Sequence, residues 1–180
     1  MTIRKHPSRP LLSAFVFVAV VGAPVASLVR AGDELPKESV LPLSMAGKAV
    51  QAAVEACKKD GYRVSVSVVD RDGILRSMAR ADGAGPHTVD SSKKKAYTAA
   101  SLRRQTSELA ELIAKVPALE ALRDMNENIL ILGGGLPIEI GGEVVGGIGV
   151  GGAPGAHLDD ACARAGLDAI GAASKVPAAK

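Results

Sequence analysis

The sequence predicts an α+β domain in which a five-stranded antiparallel sheet is flanked by helices. Three observations carry this expectation. Short β-prone runs stand in neighbouring pairs separated by tight Asp/Gly or Gly/Gly turns, the pattern of hairpins and hence of antiparallel pairing. Other stretches repeat apolar residues at three- and four-residue steps, as helices with one buried face do. The resulting order is helix, two strands, two helices, three strands, helix, which places helices against a hairpin-built sheet. No internal repeat interrupts it.

Residues 1–31 read as a secretory signal peptide. Arg4, Lys5 and Arg9 form a basic leader, Leu11 to Val21 is an apolar run broken only by Ser13, and Gly22 and Pro24 end it. Small residues around Val29-Arg30-Ala31 offer a cleavage point. The run is short of the roughly 18 residues a spanning helix needs, so no stable membrane insertion is expected, with an uncleaved anchor as the competing reading. The expected location is periplasmic or secreted. The leader holds Arg4, Lys5, Arg9 and Arg30 and no acid, so removing it takes the formal charge from +3 to −1. The basic balance belongs to the leader, and no nucleic-acid partner is expected.

Residues 32–43, with Pro36 and Pro42, read as an extended leader, and residues 44–180 as a single domain. Ser44 is the expected N-cap of a helix through Lys59, whose Met45, Ala49, Ala53, Val54 and Cys57 form a narrow apolar stripe. Asp60-Gly61 ends it. Val64 to Val69 is the first strand, Asp70 to Gly73 a turn, and Ile74 to Met78 the hairpin partner. Next comes a glycine-containing loop, Asp82, Gly83, Ala84, Gly85 and Pro86, which ends at His87 and Thr88. A helix follows, with Asp90, Ser91 and Ser92 in its first turn. Polar groups where an irregular loop meets a rigid helix are a common setting for a site.

Read from the residues alone, Thr88 is an N-cap and His87 a surface histidine. Lys93-Lys94-Lys95 is a solvated stretch in its plain reading and an attractor of carboxylates or propionates in its functional one. Tyr97 and Thr98 are expected to pack. Thr106-Ser107 caps a further helix through Lys115, stopped at Pro117, and Leu119 to Met125 is a short helical turn. Ile129 to Leu132, Leu136 to Ile140 and Glu143 to Val150 are the remaining strands, the last two joined by Gly141-Gly142. Leu158 to Ala173 closes the chain as a helix, with Asp159 and Asp160 near its start.

Both phenylalanines, Phe15 and Phe17, lie in the leader, leaving Tyr62 and Tyr97 as the aromatics of the domain. A core of Val, Ile, Leu and many Ala buries little area per residue, so a homo-oligomer is expected to bury more. Export permits a bridge between Cys57 and Cys162, but their apolar neighbours favour free, buried thiols. The run Gly133-Gly134-Gly135 leads into a strand through Leu136-Pro137 and lacks the Lys-Ser/Thr of a phosphate loop. It is read as permitting close backbone approach, with a flat ligand as a second use. Only His87 and His157 remain as histidines after the leader, and neither sits in a hydrolase motif.

Ordered segments along the chain stand out: VSVSVVDRDG (Val64–Gly73), DGAGPHT (Asp82–Thr88), KKAYTAAS (Lys94–Ser101), QTSEL (Gln105–Leu109), GGGLPI (Gly133–Ile138), GEVVGGIGVGGAPG (Gly142–Gly155) and LDDACARAG (Leu158–Gly166). Together they resemble the GlcG/HbpS family of haem-binding proteins, in its secreted HbpS-like branch. The resemblance implies a profilin-like α-β-α arrangement and assembly into larger homo-oligomers. It also implies haem as cofactor, with Thr88 as the iron ligand or His87 ligating in its place or meeting a propionate. Gly83, Gly85, Pro86 and Lys94 are then expected to line the haem. A hydroxyl ligand would favour ferric iron and ready exchange, because axial-ligand identity governs haem behaviour. Where the branch carries an acidic Asp-x-x-Glu pair late in its first helix, this chain has Glu55 and Lys58, and a cation there disfavours a bound metal ion.

The expected function is therefore haem sequestration, transport or redox sensing by an exported oligomer, with a sensor or redox protein as a further partner, and turnover is not the leading reading. An accessory protein or enzyme acting on a small hydroxy acid or aldehyde is the rival, for which His87, Asp90 and Glu139 are the acid-base candidates. A structural oligomeric module without haem is the third reading.

Overall fold

The computed structural model describes residues 35–172, so the expected signal peptide, part of the leader and the last residues of the chain lie outside the described residues. Residues 35–42 carry no helix or strand. The unit that begins at Lys37 contains every element below. In order these are α1 (Leu43–Lys59), β1 (Ser65–Asp70), β2 (Leu75–Arg80), α2 (His87–Leu102), α3 (Thr106–Lys115), a 3₁₀ segment (Pro117–Arg123), β3 (Gly135–Ile140), β4 (Glu143–Gly151) and α4 (Ala156–Ala169).

The strands form one antiparallel sheet in the order β2-β1-β4-β3. Among the described residues four strands are present where five were expected. The missing one is Ile129 to Leu132, and its backbone hydrogen bonds explain why. Leu130 N donates to Thr98 Oγ1, Ile129 N and Leu132 N donate to nearby carbonyls, and Ile131 O accepts from Arg123. With its polar groups satisfied by α2, the 3₁₀ segment and local turns, the segment needs no ladder. Its apolar side chains, Ile129 and Ile131, pack instead with Leu109 and Ile113 of α3.

Alternation along the strands sends two different kinds of residue to the two faces. Val66, Val68, Leu136, Ile138, Ile148 and Val150 are fully buried in one cluster with Ala46, Ala49 and Ala53 of α1 and Ala163 and Leu167 of α4. The opposite face carries Ser65, Ser67 and Val69 of β1 and Gly147, Gly149 and Gly151 of β4, and α2 lies on it. A Cβ on Gly147 or Gly149 would collide with backbone atoms of Ala96 or Ser92. Glycine at alternate positions therefore lets α2 rest directly on the strand. Small hydroxyls fasten it there: Ser67 Oγ lies 2.9 Å from Ser92 Oγ, and Ser65 Oγ 2.7 Å from Thr88 Oγ1.

Three capping expectations change. α1 begins two residues early, at Leu43 after Pro42, without a side-chain cap from Ser44. α2 begins at His87 after Pro86, so Thr88 stands inside the first turn rather than before it. α3 begins at Thr106 with Gln105 at the N-cap position, so Thr106 and Ser107 stand inside the helix and do not cap it.

The expectation of free thiols is also overturned. Cys57 and Cys162 form a disulfide across 105 residues of sequence, with Cα atoms 5.5 Å apart. The cause is the close packing of α1 on α4: Gly166 of α4 sits against the Ala49 carbonyl and Ala53 Cβ of α1, where any side chain would hold the helices apart. Both cysteines are buried.

Candidate functional site at the start of α2

The loop from Asp82 to Pro86 is built by glycine geometry and one arginine. Gly83 adopts φ +76°, open to glycine at no steric cost, and Ala84 N bonds back to Ala81 O. The Arg80 guanidinium, through Nε and a terminal nitrogen, donates to Ala84 O and holds the loop from beneath. Pro86 then sets the first turn of α2, with its helical φ of −61°.

His87 and Thr88, adjacent in sequence, face opposite ways. Thr88 is 2% exposed. Its hydroxyl donates to Gly85 O at 2.6 Å and meets the Ser65 hydroxyl at 2.7 Å, tying the loop to the first turn and that turn to the sheet. His87 is exposed, and its imidazole lies across Gly85, where a Cβ would come within 2.6 Å of the ring. A metal centre approaching from solvent meets the imidazole. To reach Thr88 Oγ1 it would have to displace both hydrogen bonds. Gly83 and Pro86 are exposed at the same junction and Gly85 half-buried. Lys94, half-buried one turn further on, pairs with Asp90 at 3.4 Å.

Lys95 departs from the solvated reading of the lysine run. It is 2% exposed, and Nζ donates to Asp159 Oδ2 at 2.8 Å and Val150 O at 2.9 Å. Asp159 Oδ1 also accepts from Ala153 N, and Asp160 Oδ1 accepts from Gly134 N. Burial pushes the Asp159 carboxyl above its ordinary value, against the pull of Lys95. The sequence did carry a signal for this. Thr88, Ser92, Lys95 and Ala99 recur at four- and three-residue steps, the period of a buried helical face. The glycine run is packed into the same region, with Gly134 against Val150 O and Gly135 against Lys95 O.

The acid-base candidates do not converge. Thr88 and Ser91 lie against Gly151 at one end of β4, which places His87 and Asp90 there too. Glu139 is paired with Val144 near the other end of that strand. Seven residues of strand separate them, roughly 23 Å. Among the described residues no cluster of three or more His, Cys, Asp or Glu side chains is arranged to hold a metal ion.

Beside the loop lies a cavity of about 360 Å³, between the end of α1 and the end of β2. Lys58, Arg63, Arg80 and Asp82 line it. Lys58, at the position where an acidic residue was expected to be replaced, is thus turned to this cavity.

A family model described as "Haem degrading protein HbpS-like" matches residues 41–168, which span every element of the fold but the last residue of α4. The chain belongs to the HbpS-like family. A crystal structure of a double mutant of Streptomyces reticuli HbpS superposes with TM-score 0.71 at 48% identity, covering 81% of this chain and 95% of that one. Protein GlcG of Escherichia coli K12 is 31% identical over 62% of this chain and 81% of its own length. The crystal structure of a PduOC–haem complex superposes with TM-score 0.70 at 26% identity, covering 76% of this chain and 99% of that one. This HbpS-like chain therefore shares its antiparallel sheet and flanking helices with proteins solved independently. Among its described residues, no helix is long and apolar enough to cross a membrane.

Proposed function

We propose that this HbpS-like protein binds haem on the outer side of the Gly83–Thr88 junction, with His87 as the side chain that meets the iron. The observation that carries the reading is the opposite orientation of His87 and Thr88. The imidazole stands in solvent over Gly85, while the threonine hydroxyl is inside the fold with its hydrogen bonds made. An imidazole is a strong iron ligand, and a hydroxyl left without its partners inside the fold would cost about 1–3 kcal/mol. The donor set thus fits a haem held by His87, with Thr88 fixing the turn on which His87 stands. Membership of the HbpS-like family and the haem complex of PduOC support haem as the ligand.

The rest of the reading follows from the sequence and the packing. Export is supported by the leader and by the disulfide, a bond that persists in oxidising compartments. Self-association is supported by exposed Ile74 and Leu75 at the start of edge strand β2, apolar surface that a second copy would bury. Sequestration, transport or redox sensing are the roles such a binder serves, the last with a partner protein.

A haemin titration followed in the Soret region tests the site. His87→Ala is expected to weaken binding about tenfold or more and to shift the band, and Thr88→Val to leave the band position unchanged in folded protein. Identical spectra for wild type and His87→Ala would overturn the assignment, and a shifted band in Thr88→Val alone would return the ligand to the threonine.

A further inference from the structure

We propose that the cavity between the end of α1 and the end of β2 is a binding site for a small organic dianion, a dicarboxylate. This rests on the cavity itself and does not depend on haem. Lys58, Arg63 and Arg80 line it together with a single acid, Asp82, so its charged lining carries a formal net charge of +2. Among the described residues neither the Lys58 nor the Arg63 side chain has an ion-pair or hydrogen-bond partner, and the Arg80 guanidinium is engaged by a neutral carbonyl, Ala84 O. Three cations around one hollow with a single acid among them leave an excess of positive charge, which a bound dianion would neutralise. Among the described residues Arg71, Lys94, Lys95, Lys115 and Arg123 each have a carboxylate within 4.0 Å and Lys48, Lys59, Arg76, Lys93, Arg103 and Arg104 do not, so what distinguishes Lys58, Arg63 and Arg80 is that all three line one cavity.

The geometry of the groups suits carboxylates. The planar forks of two arginines match carboxylate oxygens bidentately, and Lys58 adds a point charge. Arg80 is already held in place by its bonds to the loop, so less freedom is lost when it binds. The Arg63 stem lies against Gly83, its Cδ 3.1 Å from where a Cβ would be, which aims the guanidinium along the same wall. The carbonyls at the end of α1 do not compete for the cations: Cys57 O accepts from Asp60 N and Tyr62 N, and Lys58 O from Gly61 N. Tyr62 and Val54 complete the lining with apolar surface for a carbon skeleton, which bare phosphate would leave unused. The volume, about 360 Å³, is near the lower end for ligand pockets and suits a short chain.

The test is calorimetric titration of the haem-free full-length protein with succinate, alongside acetate and inorganic phosphate. Succinate is expected to bind one per chain and about tenfold or more tighter than either. Arg63→Gln, which keeps most of the stem on Gly83, and Lys58→Glu should each weaken it about tenfold or more, since each removes a charge-assisted contact. Both side chains are exposed, and circular dichroism will show the variants folded. No succinate binding to wild type would overturn the proposal, as would undiminished, wild-type affinity in both variants or stronger binding of phosphate. A haemin titration of the same variants separates the other source of paired carboxylates: if they weaken haemin while wild type ignores succinate, the cations serve porphyrin propionates and the proposal fails.

Discussion

Lys95 and Asp159 bring opposite charges into the interior, and such pairs are strongly destabilising to break from one side. Lys95→Met is expected to lose about 3–5 kcal/mol at neutral pH, because it leaves the Asp159 carboxylate buried without its cation. The carboxyl itself titrates in a definite direction. Desolvation raises its pKa, with Asp160 adding to the rise, and Lys95 and Ala153 N oppose it. The folded state therefore holds this proton more tightly than the unfolded chain. Its contribution to stability is full below the ordinary aspartate value, about 4, and is lost as pH rises through the raised folded value. Urea midpoints from pH 4 to 7 should show wild type losing stability relative to Asp159→Asn across that window. A difference that stays constant would show that the carboxyl does not hold its proton in this way. The sequence presents three consecutive lysines, and a charge count cannot tell them apart. Helical phase can, since Lys95 shares a face with Thr88 and Ser92, but the anion it meets comes from α4, 64 residues later.

α2 shows why a weakly apolar helix is firmly held. Its buried face offers Thr88, Ser92, Thr98 and alanines, with little area to bury, so stability comes from closeness and from hydroxyl pairs. Glycines on β4 make that closeness possible. Gly149→Val is expected to cost about 1–3 kcal/mol or more, as overpacking does, because its side chain would meet Ser92 O and the Ala96 amide. Lifting α2 would also part Thr88 from Ser65 and move His87. Denaturation midpoints measure the first effect, and the haemin titration reads the second. An unchanged midpoint would mean that α2 does not rest on β4 so closely. The hairpins β1–β2 and β3–β4 were legible because Asp70-Arg71-Asp72-Gly73 and Gly141-Gly142 are local turn chemistry. The extra strand was misread for the converse reason. Ile129 and Ile131 alternate as strand residues do, yet a threonine 32 residues earlier takes the amide between them.

Across the molecule, the loop-to-helix junction at Asp82–Thr88 was readable from the sequence, while the direction in which His87 and Thr88 turn was not. Which of two neighbouring side chains turns inward depends on Ser65, on a strand the loop reaches only after folding. The disulfide poses the same problem over a longer span. Cys57 and Cys162 each sit on an apolar helical stripe, and only the packing of α1 against α4 brings them together. Bridging residues this far apart restricts the unfolded chain strongly: loop-closure entropy for about 100 residues amounts to roughly 4.7 kcal/mol, and native bridges deliver 2–4 in most cases. Cys57→Ala/Cys162→Ala should therefore lose about 2–4 kcal/mol in urea denaturation and keep its far-ultraviolet circular dichroism, since the alanines remain within the packed α1–α4 face. Because both sulfurs are buried, reductant added to the native protein should act slowly, limited by opening of the fold. Wild type denatured in the presence of reductant should then match the double variant. If instead the double variant is as stable as the oxidised wild type, the bridge adds no constraint that the α1–α4 contact does not already supply.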